Sequence, residues 1–188
     1  MRLTKEGAAR NRDEILETAT RLFKTEGIDN VSVTDLMRET GFTHGGFYNH
    51  FESKAELAVE AIRYAFKQSL NDLEARIVAN DDPTAALAGA LSNYLAPEHR
   101  DEPTGGCPTG SLPVDVSRQP YNAQAAFADG LQRYIELISL HDSASNSLNR
   151  RRAISTLSSL VGAIILSRAV RNGCPELSDE ILQAVGTM

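Results

Sequence analysis

Apolar residues recur along this chain at helical spacing, and no stretch alternates convincingly as a strand does. Ile15, Leu16, Ala19, Leu22 and Phe23 fall at i, i+1, i+4, i+7 and i+8, one stripe of an amphipathic helix. Asn11 and Glu14 have capping-box spacing at its start, unless the helix begins earlier, and Gly27 supplies a left-handed stop. Ser32 is placed to cap a second, short helix carrying Val33, Leu36 and Met37, which Gly41 breaks. Thr43 opens a third short segment through Phe51. Ser53 and Glu56 repeat the capping-box spacing, and a long helix follows from Lys54 to about Ala79.

The break Asn80-Asp81-Asp82-Pro83 ends that helix, and Asp82 as cap with Pro83 in the first turn opens another, to about Leu95. Pro97 to Gly106 is turn-rich and predicts a loop. Cys107-Pro108 opens a short helix that Pro113 must shorten or kink. Further helices are expected over 121–141, 147–171 and 178–187, the last with Ser178 as its cap. The pattern is all-α throughout.

A chain of 188 residues can build one or two domains with real cores. No unbroken run of about 18 apolar residues occurs, so no membrane span or membrane partner is expected. The polar start lacks the apolar segment of a secretory signal. The cysteines, Cys107 and Cys174, stand far apart, which fits neither a disulfide framework nor a metal ligand set and suggests a reducing, cytoplasmic setting. Net charge is -6, and carboxylates slightly outnumber Lys and Arg over residues 1–54. A basic nucleic-acid-binding domain is thereby excluded, although Arg2, Lys5, Arg10 and Arg12 make a local basic arm.

Three short helices with a glycine break between the second and third predict a helix-turn-helix. The informative run is Gly41-Phe42-Thr43-His44-Gly45-Gly46-Phe47-Tyr48-Asn49-His50-Phe51. Adjacent helical glycines cost roughly 1 kcal/mol each against alanine. A fold accepts that cost where its backbone must approach another surface closely, and a phosphate backbone is such a surface. Thr43, His44, Tyr48, Asn49 and His50 can all hydrogen-bond phosphates or base edges. Phe47 and Phe51 would anchor the helix inward, and Lys54 beside the next helix's first amides suits a phosphate. The same run also reads as a solvated glycine-rich turn.

Residues from about Arg12 to Leu57 resemble the DNA-binding domain of the tetracycline-repressor (TetR) family. The resemblance rests on Ile15-Leu16, Ala19, Leu22-Phe23, Gly27, Ser32-Val33, Leu36, Gly41-Phe42-Thr43, Gly45-Gly46-Phe47-Tyr48, His50-Phe51, Ser53-Lys54 and Leu57, in order and without a gap. Met37-Arg38 departs from the family's usual Ile-Ala. The resemblance implies a helix-turn-helix domain over residues 1–53 and a ligand-binding and dimerisation domain over 54–188. It implies a homodimer that represses transcription by binding a double-stranded operator until a small-molecule inducer releases it. Its DNA contacts carry over to Thr34, Thr43, His44, Gly45, Tyr48, Asn49, His50 and Lys54. Tyr48 and His50 would touch phosphate, and Thr43, His44 and Asn49 would read bases.

The C-terminal half resembles one branch of that family more loosely, through Gly106-Cys107-Pro108, Leu112, Gly162-Ala163, Arg168-Ala169 and Ile181-Leu182. Ile154, Leu157, Val161, Ile164 and Ile165 make a broad apolar face in which Ser158, Gly162 and Ala163 permit close approach. That face fits either an isologous dimer interface formed with the last helix or a core helix within one subunit. Cys107, after Gly105-Gly106 and ahead of Pro108, sits where a helix start would favour a thiolate; it is a redox-sensing candidate or a small buried hydrophobe. Tyr64, Leu91, Tyr94, Phe127, Leu131 and Tyr134 are pocket candidates that also fit a core. No nucleophile–base–acid spacing is present, so an enzyme is not expected, nor is a cofactor or metal. A helical interaction module without DNA remains the other alternative.

Overall fold

The computed structural model describes residues 4–141 and 146–186, the side chains of 146–148 excepted. Arg2 of the basic arm and Thr187 of the last expected helix lie outside the described residues. Among those described, ten α-helices and one 3₁₀ turn form the structure, without strands. The first three are α1 (Lys5–Glu26), α2 (Val33–Glu39) and α3 (His44–Phe47). Thr4, not Asn11, caps α1, its side chain accepting from the Gly7 amide at 3.1 Å. Helix propensity through Ala8 and Ala9 carries the helix past the inner capping-box spacing. Gly27 (φ 87°) and Gly41 (φ 72°) take the left-handed conformation that ends α1 and α2. The Phe42 amide closes back onto the Met37 carbonyl at 2.8 Å, fixing the turn into α3. The third segment is shorter than expected: α3 stops at Phe47, and residues 48–50 form a turn.

Ser53 caps α4 (Lys54–Val78), accepting from the Glu56 amide at 3.1 Å. The Glu56 carboxylate reaches back to the Glu52 amide at 2.6 Å. Helix α4 runs from the N-terminal trio into the body, packing against α1, α5 (Pro83–Tyr94) and α8 (Tyr121–His141). One continuous core extends from Ile15 through Phe47, Leu57, Phe66 and Leu70 to Leu157. Where α8 crosses α4, Gly130 lies directly beneath the Phe66 ring, leaving no room for a side chain.

The expected loop at 97–106 contains a helix, α6 (Pro97–Asp101). Its Arg100 is buried and donates to Asp179 at 2.5 Å and Ser178 Oγ at 2.9 Å. Asp101, gripped by Arg100 and Arg171, is held down to about 2. Cys107 precedes a three-residue 3₁₀ turn (Pro108–Gly110), and Pro113 starts α7 (Pro113–Val116) where a kink was expected. The last two helices are α9 (Asn146–Val170) and α10 (Pro175–Gly186). Ser178 is not a cap but a buried residue inside α10, donating to the Ser167 carbonyl at 2.8 Å.

Asn149–Val170 reaches a mean hydropathy of 1.7, enough by length and composition to cross a membrane, although serines interrupt its apolar run. On one side the helix packs against the core formed with α8 and α10. Leu157, Ala163 and Ile164 face that core, while Ile154, Ser158 and Leu166 stay exposed.

Candidate nucleic-acid interface

Helix α3 is held from below. Phe47 and Phe51 are fully buried and stacked with centroids 5.7 Å apart. The Arg12 guanidinium lies 4.5 Å over the Phe51 ring and pairs with Glu60 at 2.5 Å. Arg12 is thus tied to the structure beneath the helix and is not part of a free basic arm. Met37, one of the departures from the family pattern, is buried beneath Gly46.

What remains outside is polar. Thr34 on α2, Thr43, His44 and Gly45 at the start of α3, and Tyr48 and Asn49 after it are exposed, while His50 and Lys54 are half-buried. Tyr48 is 60% exposed, its ring edge-on to those of Phe47 and His44 at 5.2 and 5.8 Å. The side chains of Thr34, Thr43, His44, Tyr48, Asn49 and His50 make no hydrogen bond within the described residues. Thr43 precedes α3 without using its hydroxyl as a cap. Lys54 alone is engaged, donating to the Asp29 carbonyl at 3.1 Å. An ammonium has three donors, so two stay free.

Gly45 is the most telling position. Nothing in the protein lies within 4 Å of where its Cβ would stand, and its φ is not positive. Neither internal packing nor backbone strain requires glycine there, and alanine would favour the helix by about 1 kcal/mol. The absent side chain leaves α3 flat where another molecule can approach.

A second feature lies in the body. A cavity of about 270 Å³ opens between α4, α5, α8 and α9. Leu91, Tyr94 and Tyr134 line it; among the other pocket candidates, Phe127 packs on Phe66, and Tyr64 faces a groove between α1 and α4. His99 and Cys107 line the cavity too. His99 had no sequence signal, since the α6 that presents it reads as loop. Burial raises both tyrosine pKa values, so the phenols remain hydrogen-bond donors. Burial lowers that of His99, whose Nδ1 lies 2.7 Å from the Tyr94 carbonyl. A carbonyl can only accept, so Nδ1 carries the proton and Nε2 keeps its lone pair.

Cys107 is 8% exposed, with Sγ 2.8 Å from Thr109 Oγ1. It neither stands on an open loop nor begins an α-helix, so no helix dipole acts on it. Lys24 and Arg168 lie near enough for mutual electrostatic influence, partners distant in sequence. Arg168 donates to the carbonyls of His99, Arg100 and Gly110 at 2.7–2.8 Å. Among the described residues, no cluster of His, Cys, Asp and Glu could hold a metal ion.

A glycine-bearing helix with free polar groups, set after a second helix and a glycine turn and carried on a helical body with an internal cavity, has helix-turn-helix topology. The family described as bacterial regulatory proteins, tetR family, matches residues 15–61. The regulator LmrA of Bacillus subtilis (strain 168) is 23% identical over 171 residues, 89% of this chain and 91% of its own length. Among solved structures, the reduced form of E. coli NemR superposes with a TM-score of 0.79 at 17% identity, covering 95% of this chain and 96% of its own. A TetR-family regulator from Cytophaga hutchinsonii gives 0.79 at 21%, covering 100% and 96%. Residues 15–61 thus match the DNA-binding domain of the TetR family, and over most of its length the chain is similar to TetR-family DNA-binding transcriptional regulators.

Proposed function

We propose that the chain is a cytoplasmic homodimeric repressor, bound to an operator through Thr34, Thr43, His44, Gly45, Tyr48, Asn49, His50 and Lys54. The observation that carries this reading is Gly45, exposed and unneeded by its own fold, at the centre of a face of unpaired polar side chains. In this reading residues 1–53 are the DNA-binding unit and 54–188 the ligand-binding and dimerisation unit. The strip of α9 with exposed Ile154, Ser158 and Leu166 and half-buried Gly162 pairs with its two-fold copy, helped by α10. Release comes from the cavity, through a small amphipathic ligand or modification of Cys107. Leu73, Leu91, Ile138 and Leu157, with the Tyr94 hydroxyl 3.3 Å from Thr109 Oγ1 and the Tyr134 hydroxyl donating to Ser69 Oγ, suit a largely apolar molecule carrying one polar group.

The test is selection of bound duplexes from a random pool, followed by a mobility-shift titration. The account expects a two-fold symmetric sequence bound as dimer, with affinity falling as salt rises. Recovery of no preferred sequence would remove the operator reading.

A further inference from the structure

Residues Thr104–Gln119 form a strap along the end of α1, touching the N-terminal unit three times in register. The Thr104 carbonyl accepts from Lys24 Nζ at 2.8 Å. The Asp115 carboxylate stands against Gly27, so close that a Cβ there would lie 3.0 Å from Oδ1. Gln119 Nε2 donates to the Asp29 carboxylate at 2.8 Å. Gly105, Gly106 and Cys107, near the start of the same strap, line the cavity.

Asp29 faces both ways. Its side chain accepts from the strap, and its backbone carbonyl accepts from Lys54 Nζ at 3.1 Å. We propose that Asp29 is a positioning residue of the DNA interface: its carbonyl holds the Lys54 ammonium toward phosphate, and its carboxylate is held in turn by Gln119 of the cavity-lining strap. This rests on the reading of Lys54 as a phosphate contact.

The physical reason is the entropy of lysine. A free lysine loses several rotamers on reaching a phosphate. Lys54 is half-buried with one donor already satisfied, so part of that ordering is done before DNA arrives. The turn carrying Asp29 is anchored by buried Ile28 and Val31 on either side, so movement of the strap is passed to Asp29 instead of being absorbed by a loose loop. The cavity and the DNA face are thereby joined by a short polar route beside α4.

The test is a double-mutant cycle on the full chain, measuring affinity against salt for the duplex that selection recovers. Lys54→Met is expected to weaken binding about tenfold. It should also make the slope of log affinity against log salt shallower by about 0.9, the value for one phosphate. Gln119→Ala is expected to lower affinity about three- to tenfold with the same shallower salt slope. In the Lys54→Met background it should add less than about twofold, because coupled residues are not additive. Asp29→Asn, which keeps both the carbonyl and a side-chain oxygen, should stay within about twofold of wild type. The relay is overturned if Lys54→Met weakens binding while Gln119→Ala leaves affinity and slope unchanged, or if the two losses multiply. Wild-type binding by Lys54→Met would remove the phosphate reading of Lys54 and the relay with it.

Discussion

Lys24, in the last turn of α1, donates to the backbone carbonyl of Thr104 at 2.8 Å, across 80 residues of sequence. Burial lowers the lysine's pKa, and the carbonyl oxygen gives the half-buried ammonium a polar partner. Two residues further on, a Cβ on Gly106 would stand 2.7 Å from His99 Nε2, so Gly106→Ala must displace the His99 ring or this loop without any ligand. The variant should remain folded and bind its operator about tenfold more weakly, roughly 1.4 kcal/mol. Titrations of wild type and variant side by side check this; equal affinity would mean that the loop's position does not reach the DNA face.

Gly130 makes a separate prediction. Any side chain there enters the Phe66 ring where α8 crosses α4. Gly130→Ala should cost about 1–3 kcal/mol by overpacking, despite its gain in helix propensity. Thermal unfolding should show a fall of several degrees, and Phe66→Leu in the same chain should restore part of it. An unchanged melting temperature would contradict the tight crossing.

The two cysteines should separate by exposure. Cys174 is exposed and Cys107 buried. Mass spectrometry of partly alkylated protein should find Cys174 modified first. Slower modification of Cys107, by adding bulk to the cavity wall, should release the operator. Cys107→Ser should then stay bound under the same treatment, and Cys174→Ser should still respond. Release that persists in Cys107→Ser would leave this thiol as packing.

Much of the fold was legible because it is written locally. Ser32, Ser53 and Asp82 cap the helices they were expected to cap, and Gly27 and Gly41 take the positive φ their positions suggest. The errors came where tertiary contacts decide. Ser178 looks like a cap, but Arg100 and the Ser167 carbonyl draw it inside a helix that begins at Pro175. The 97–106 stretch reads as loop because Pro and Gly flank it, yet the Arg100 pairing accompanies a turn of helix there. In the candidate DNA face, residue identity was readable from the glycine pattern. The Asp29–Lys54 and Asp29–Gln119 contacts were not, since no local spacing announces a bond across 25 or 90 residues.

The dimer proposal has its own probe. Leu166 is 58% exposed on the outward side of α9, so a charge there costs the isolated subunit little. Leu166→Glu should therefore give a folded monomer, because two such charges facing each other in a dry interface cost several kcal/mol. Sedimentation and circular dichroism measured together decide it; a dimer unchanged at micromolar concentration would place the interface elsewhere.

The central claim is that the face around Gly45 reads an operator, and comparing two substitutions on that face tests it most directly. Affinities of Tyr48→Phe and Asn49→Ala are measured against the selected operator and against every single-base change in one half-site. The account predicts that Tyr48→Phe weakens all duplexes by a similar factor, since a phosphate contact carries no sequence information. Asn49→Ala should instead flatten preference at one position per half-site, by about 1–3 kcal/mol. If both variants bind every duplex as wild type does, this face does not touch DNA.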